Sequence, residues 1–219
     1  MSPPQKKAFN FSPSTRYFLA TLAIVGVLAI LAWAVCIPFL YQSTSIWYKI
    51  GTDRILLRSG KVIGLVAATL LFLQIIFIAH LTIVESIFSP GTLNRIHKIN
   101  AGVIASLALL HPLFVFAPED ISNIAIEKRY LPEGIGALLL VLIWVIFTTA
   151  KYRSFLDFSY NKWKVFHRFA ALSAVILLVV HVLNVSDTFS VGPPKLYVIG
   201  AAAMHVMLWV WIQIKKTIR

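Results

Sequence analysis

Two stretches of the chain decide its fold: LNRIHKINAGVIASLALLHP at residues 93–112 and KWKVFHRFAALSAVILLVVH at residues 162–181. Both are mostly apolar, and each contains two histidines fourteen residues apart. The first contains His97 and His111, and the second contains His167 and His181. Fourteen residues of α-helix rise about 21 Å and return to within roughly 40° of the starting face. Each pair is therefore predicted to line one face of its helix at two depths.

The composition around these stretches is that of a membrane protein. Of the 219 residues, 59% are hydrophobic and only 13% are charged. Stretches without Asp, Glu, Lys or Arg cover 17–48, 62–84, 99–118, 134–150, 169–186 and 196–214. Each is close to the ~17–25 residues that cross a bilayer, and helices satisfy their backbone polar groups internally. We predict an all-α integral membrane protein with a six-transmembrane-helix bundle over 17–214.

Charge predicts the orientation of the bundle, because loops on the cytoplasmic side keep the excess of Lys and Arg. Both termini and the second–third and fourth–fifth connections carry 13 of the 20 basic residues, offset only by Glu85 and Asp157. We therefore expect cytoplasmic tails at 1–16 and 215–219, and a multi-pass location in a membrane, most simply the bacterial cytoplasmic membrane. Topology and anionic lipid account for the net charge of +12 without nucleic-acid binding.

The four repeated histidines predict two haem sites. In this topology the third and fifth spans both run from inside to outside, so His97 and His167 form an inner pair, and His111 and His181 an outer pair. A haem iron accepts two imidazoles as axial ligands, so we expect two b haems. A single histidine in a span commonly only hydrogen bonds a neighbouring helix, but two pairs with the same spacing favour ligation.

Other residues near the inner pair have two interpretations. Arg95, Lys98 and Arg168 are placed to neutralise haem propionates, although positive-inside topology explains them equally well. His80, late in the second charge-free stretch, is a candidate for a hydrogen bond to a propionate or a ligand. His205 lacks a partner at the fourteen-residue spacing and is expected to be structural.

Several function classes are disfavoured by what the sequence lacks. An ion or proton transporter uses Asp or Glu within its membrane spans. None of the six predicted spans contains either residue. No G-x-G-x-x-G or P-loop motif occurs, so we expect a flavin or a quinone to act through a partner. No catalytic residue is predicted.

From Ser59 to Ile214 the sequence resembles the ferric reductase-like transmembrane domain family, which includes the membrane part of NADPH oxidases and bacterial relatives. The two stretches quoted above carry the resemblance. It implies that His97, His111, His167 and His181 ligate two haems b. Many members continue into a cytoplasmic FAD- and NAD(P)H-binding module, and members often carry an arginine near the position of His80. The chain is similar to the stand-alone haem subunits that take electrons from a separate flavin enzyme.

The leading expectation is transmembrane electron transfer from a cytoplasmic flavoprotein or quinol, through the inner and then the outer haem, to an acceptor outside. Direct reduction of a ferric chelate or of oxygen at the outer face is the second interpretation. A haem-binding sensor or assembly protein without turnover is the third.

Overall fold

The computed structural model describes residues 9–119, 131–157 and 159–217, with side chains to residue 215. Half of the predicted tail 1–16 and part of the tail 215–219 lie outside these ranges. Within them all regular structure is helical, and six helical segments are long and apolar enough to cross a membrane. These spans are Pro13–Leu40, Gly51–Ile78, Pro90–Phe116, Leu131–Lys151, Tyr160–Val185 and Gly192–Lys215. The predicted all-α multi-pass membrane fold is confirmed.

The first two spans begin earlier than the charge-free stretches suggested. Helix α1 (Pro13–Leu40) starts behind Ser12, whose side chain accepts a hydrogen bond from the Thr15 amide. The polar segment after α1 forms the short helix α2 (Thr44–Trp47). Helix α3 (Gly51–Leu73) then starts at a glycine with φ +57, so that its first turns carry charged residues. Charge marks the end of the hydrocarbon core, whereas the helix itself continues into the interface.

The second span also ends earlier than expected. Helix α3 is followed by a 3-10 turn at Ile76–Ile78, and the chain reverses at His80, which has a φ of +51. The short helix α4 (Thr82–Ile87) follows on the far side of this reversal. The expected placement of His80 within the second span is therefore wrong, because absence of charge does not prevent a turn.

Helix α3 contacts most of the other long helices. Helix α5 (Pro90–Phe116) makes the most extensive contact with α3, whereas α6 (Leu131–Lys151) packs on α7 (Tyr160–Val185) and α5. Helix α8 (Gly192–Thr217) contacts α3 and α7. Small residues such as Ala34, Ala105 and Ala174 are almost completely buried where helices meet. Their size lets the backbones approach closely, as is usual between membrane helices.

Polar side chains tie α3 to its neighbours. The Gln74 amide donates to the backbone carbonyl of His97 at 2.9 Å, and the Asn100 amide donates to the Gln74 side chain at 2.6 Å. The buried His205 of α8 lies 3.4 Å from the carbonyl of Phe72. These contacts hold parts of α5 and α8 against the end of α3.

Candidate functional site

The outer histidines meet between α5 and α7. The rings of His111 and His181 have centroids 6.4 Å apart and planes inclined at 80°. Imidazole nitrogens bind metals such as zinc at about 2.0–2.1 Å, so two rings on opposite sides of one metal ion have centroids roughly 6 Å apart. The observed separation matches that of two axial ligands.

Backbone carbonyls orient both outer rings. His111 Nδ1 lies 2.8 Å from the carbonyl oxygen of Gly60, and His181 Nδ1 lies 2.8 Å from that of Pro132. A carbonyl oxygen only accepts hydrogen bonds, so Nδ1 carries the proton in each ring. Nε2 is therefore the nitrogen with a free lone pair in both histidines. Metal-binding histidines usually have this arrangement.

A cavity of about 1050 Å³ lies beside the two outer rings. This is at the upper end of the ~300–1,000 Å³ that small-molecule sites occupy. Most of the lining is apolar, and His111 and His181 are part of it. Lys61 and Glu133 are among its few polar lining residues. A large ligand with a mostly apolar body therefore fits this space.

The polar edge of the cavity is connected to the outer loops. The Lys61 ammonium donates to the hydroxyls of Ser43 and Ser45, the latter at 2.9 Å. Next to it, the Thr44 amide donates to the Asp187 carboxylate at 3.1 Å. Partial burial raises the pKa of the Asp187 carboxyl, but the hydrogen bonds from Thr44 outweigh this and hold that pKa below its ordinary value of 3.8. Asp187 thus fastens the loop after α7 to helix α2.

The inner histidines lie in different surroundings. His97 and His167 interact electrostatically with each other, and each has a basic neighbour, Lys98 and Arg168 respectively. Neither Nδ1 has a partner in hydrogen-bonding geometry. The backbone carbonyl of Gln74 lies near the His97 ring but does not meet that geometry. The inner rings therefore lack the backbone hydrogen bonds that orient the outer rings.

An aromatic series leads from the inner surface to His167. The Trp163 ring lies 5.0 Å from the His167 ring, and the Tyr160 ring lies 5.9 Å from Trp163. The Arg153 guanidinium is 5.4 Å from the centre of Tyr160 and 5.8 Å from that of Trp163. Tyr160 is exposed. Rings in contact therefore connect an exposed basic surface to one inner histidine.

The other predicted site residues do not all lie near the inner pair. Lys98 and Arg168 lie beside the inner pair, as expected for residues next in sequence to His97 and His167. Arg95 lies exposed in the first turns of α5. His80 is exposed beyond the second span, and its Nδ1 lies 2.6 Å from the Glu85 carboxylate. Its partner is therefore on α4, and the suggested propionate or ligand contact has no support in this geometry.

Sequence reasoning missed the residues that hold the outer rings. These are the carbonyls of Gly60 and Pro132 and the glycines Gly64 and Gly136, which lie next to the imidazoles. The only sequence signal was a glycine four residues after each carbonyl.

Within the described residues there is no cluster of three or more His, Cys, Asp or Glu side chains. A bare metal ion such as zinc in a structural site takes four protein ligands, whereas a porphyrin supplies four nitrogens itself and needs only two from the protein. Two pairs of histidines therefore fit haem iron better than bare metal ions.

Comparison with known families identifies the family of this chain. The family model described as "Ferric reductase like transmembrane component" matches residues 63–179. The chain belongs to this family. The match contains His97, His111 and His167, and ends two residues before His181. Comparison with curated proteins and with solved structures found no match. Membership indicates transmembrane electron transfer in general.

Proposed function

We propose that this protein carries electrons across the cytoplasmic membrane through two b haems. His97 and His167 hold the inner haem, and His111 and His181 hold the outer haem. The donor is a cytoplasmic flavoprotein or quinol, and the acceptor lies outside. The geometry of His111 and His181 beside the large cavity carries this proposal. Bound haem iron supplies one-electron oxidation and reduction, and the protein supplies ligation, spacing and exclusion of water.

The arrangement of α5 and α7 supports two levels. His111 and His181 lie in the second halves of these helices and contact each other, whereas His97 and His167 lie in the first halves and interact electrostatically. The two helices therefore run in the same direction. The fourteen-residue spacing separates the levels by about 21 Å along a helix. Two sites at this separation divide the hydrocarbon core, which is about 30 Å thick, into shorter steps.

The inner surface supports an acidic protein donor. Lys151, Arg153, Lys162 and Lys164 lie on the fourth–fifth connection or its flanking turns, together with exposed Tyr160. A basic surface attracts an acidic partner at a rate that falls as salt rises. The Tyr160, Trp163 and His167 rings lie between this surface and the inner site. Docking here would bring a flavin close to the inner haem.

The proposal is tested in sealed vesicles that contain the purified protein and trapped ferricyanide. A membrane-impermeant reductant outside should reduce the trapped ferricyanide in vesicles with the wild-type protein, in either orientation of insertion. His181→Ala should lose this reaction because it removes an outer ligand, while His205→Ala should keep it. Vesicles in which the wild type carries no electrons, although the protein holds haem, would contradict the proposed function and favour a haem sensor.

A further inference from the structure

We infer that Gly64 and Gly136 are positioning residues that seat the two outer imidazoles directly on helix backbones. Each glycine leaves a notch in the wall of its helix, and the ring of His111 or His181 fills that notch. This inference rests on the proposed function, since it assigns a role in holding the outer haem ligands.

The notch on α3 is formed at Gly64. A Cβ atom at this position would lie 2.6 Å from His111 Nδ1, 2.8 Å from its Cε1 and 3.1 Å from its Cγ. Contacts below 3.0 Å essentially do not occur for real Cβ atoms, so any other residue would displace the ring. The same ring reaches the carbonyl of Gly60, at 2.8 Å from Nδ1. Without a side chain at position 64, the imidazole lies against the helix and reaches that carbonyl.

The notch on α6 repeats this arrangement. A Cβ atom at Gly136 would lie 2.6 Å from His181 Cε1, 2.8 Å from its Nδ1 and 3.2 Å from its Nε2. His181 Nδ1 lies 2.8 Å from the carbonyl of Pro132. The carbonyl and the glycine are four residues apart in both helices, which is the spacing of the α-helical hydrogen bond. In each helix the ring therefore approaches the carbonyl that also accepts from the amide of the notch glycine.

Ordinary helix packing does not explain these two glycines. Gly60 is a packing glycine, because its Cβ would meet Val115 and the backbone of Phe114. At Gly64 and Gly136 the three nearest atoms all belong to the histidine ring. Gly200 of α8 would meet nothing within 4 Å and does not line the cavity, and Gly102 would make an ordinary contact with Phe147 at 3.8 Å. These two positions supply matched controls.

The notches matter most when the rings are held by a metal. A free imidazole escapes an added methyl group by rotating about its side-chain bonds, which costs little. An imidazole bound to iron has its nitrogen fixed, so the methyl group must tilt the ring and break its hydrogen bond to the carbonyl. Second-sphere hydrogen bonds of this kind typically change metal affinity by about 10–100-fold when removed.

The test uses the full chain purified with its haem, as wild type, Gly64→Ala, Gly136→Ala, and the controls Gly200→Ala and Gly102→Ala. Haem content, low-spin electron paramagnetic resonance spectra and the redox midpoint of each haem are measured. Gly64→Ala and Gly136→Ala should each retain the inner haem, hold the outer haem roughly 10–100-fold more weakly, and shift the spectrum and midpoint of any outer haem that remains. Both controls should match the wild type.

Either of two results would overturn this inference and leave the proposed function standing. One is a wild type with two haems whose Gly64→Ala and Gly136→Ala variants keep both, with unchanged spectra and midpoints. The other is loss of both haems together in these variants while the controls stay intact, because the notches serve the outer pair only. A wild type that binds no haem would overturn the proposed function and this inference with it.

Discussion

The outer and inner histidine pairs share a spacing but are held differently. At the outer level each ring donates through Nδ1 to a backbone carbonyl and lies against a glycine. At the inner level neither Nδ1 has a hydrogen-bond partner, and basic side chains and Trp163 surround the rings. A ligand histidine that donates its second N–H is a stronger electron donor to its metal. Under the proposed function, the two levels would therefore give different electronic properties to the same cofactor.

Helix α3 explains why the arrangement is complete at only one level. The carbonyl of Gly60 accepts a hydrogen bond from His111, and the carbonyl of Gln74 lies near His97. Gly60 and Gln74 are fourteen residues apart, as are His97 and His111 on α5. Gly60 lies within the regular helix, whereas Gln74 is the C-cap residue after Leu73. The backbone repeat of α3 therefore supports the outer ring with full hydrogen-bond geometry and ends at the inner ring.

Removal of a single histidine should have the largest effect, because it removes the haem of one level and leaves the other. His111→Ala and His181→Ala should each lose the outer haem and keep the inner one, while His97→Ala and His167→Ala should lose the inner haem. Each variant should therefore keep about half of the wild-type haem, measured as pyridine haemochrome per protein. His111→Ala and His167→Ala behaving as partners would contradict parallel α5 and α7.

Substitutions in the basic surface test how the electron donor docks beside the inner pair, without changing the outer pair. Neutralising Lys151, Arg153, Lys162 and Lys164 together should slow haem reduction by an acidic flavoprotein roughly 10-fold at low salt, because electrostatic steering is lost. The difference should shrink as salt screens the wild-type attraction. Stopped-flow reduction measures this, and Lys195→Gln at the other side of the membrane is the matched control. Equal rates at low salt would remove the docking role of this surface.

The midpoint potentials of the two haems test whether the inner and outer levels differ electronically. Hydrogen-bonded ligands at the outer level should lower its midpoint, while Lys98 and Arg168 favour the reduced inner haem. A hydrogen bond contributes about 0.5–1.5 kcal/mol, which corresponds to about 20–60 mV for one electron. A redox titration should therefore show two steps, with the lower midpoint lost in His181→Ala. With the lower midpoint at the outer haem, transfer from the inner to the outer haem is uphill and would draw on the membrane potential, which supplies about 2.3 kcal/mol per charge at 100 mV. Loss of the higher step in His181→Ala would reverse the assignment.

The smallest expected effect lies at the loop beside the outer cavity. The folded pKa of Asp187 is below its ordinary value of 3.8, so its ionised form adds stability at higher pH, and this is lost as pH falls through the folded pKa. Asp187→Asn should therefore lower the free energy of unfolding slightly at neutral pH, by less than about 1 kcal/mol for so exposed a group. Below the folded pKa the two proteins should unfold alike. A constant difference down to that pH would show that the charge is not the cause.

The four histidines and the helical class were predictable because both depend on sequence spacing. Fourteen residues place His97 and His111 on one face whatever surrounds them, and long apolar stretches have few alternatives in a membrane. The position of His80 was not predictable, because the charge-free stretch 62–84 continues through the turn after Ile78 without a change in composition. The notches at Gly64 and Gly136 were also hidden, since a glycine within a helix shows its purpose only when the neighbouring helix is in place.

The number of haems per purified chain and their spin state test the central claim most directly. Each level supplies two imidazoles, so the account predicts two haems per chain, both low-spin and unreactive toward carbon monoxide. Pyridine haemochrome, protein quantification and the absorption spectrum under carbon monoxide measure these properties on one sample. A single haem per chain, or a haem that binds carbon monoxide without loss of a histidine ligand, would contradict the two bis-histidine sites.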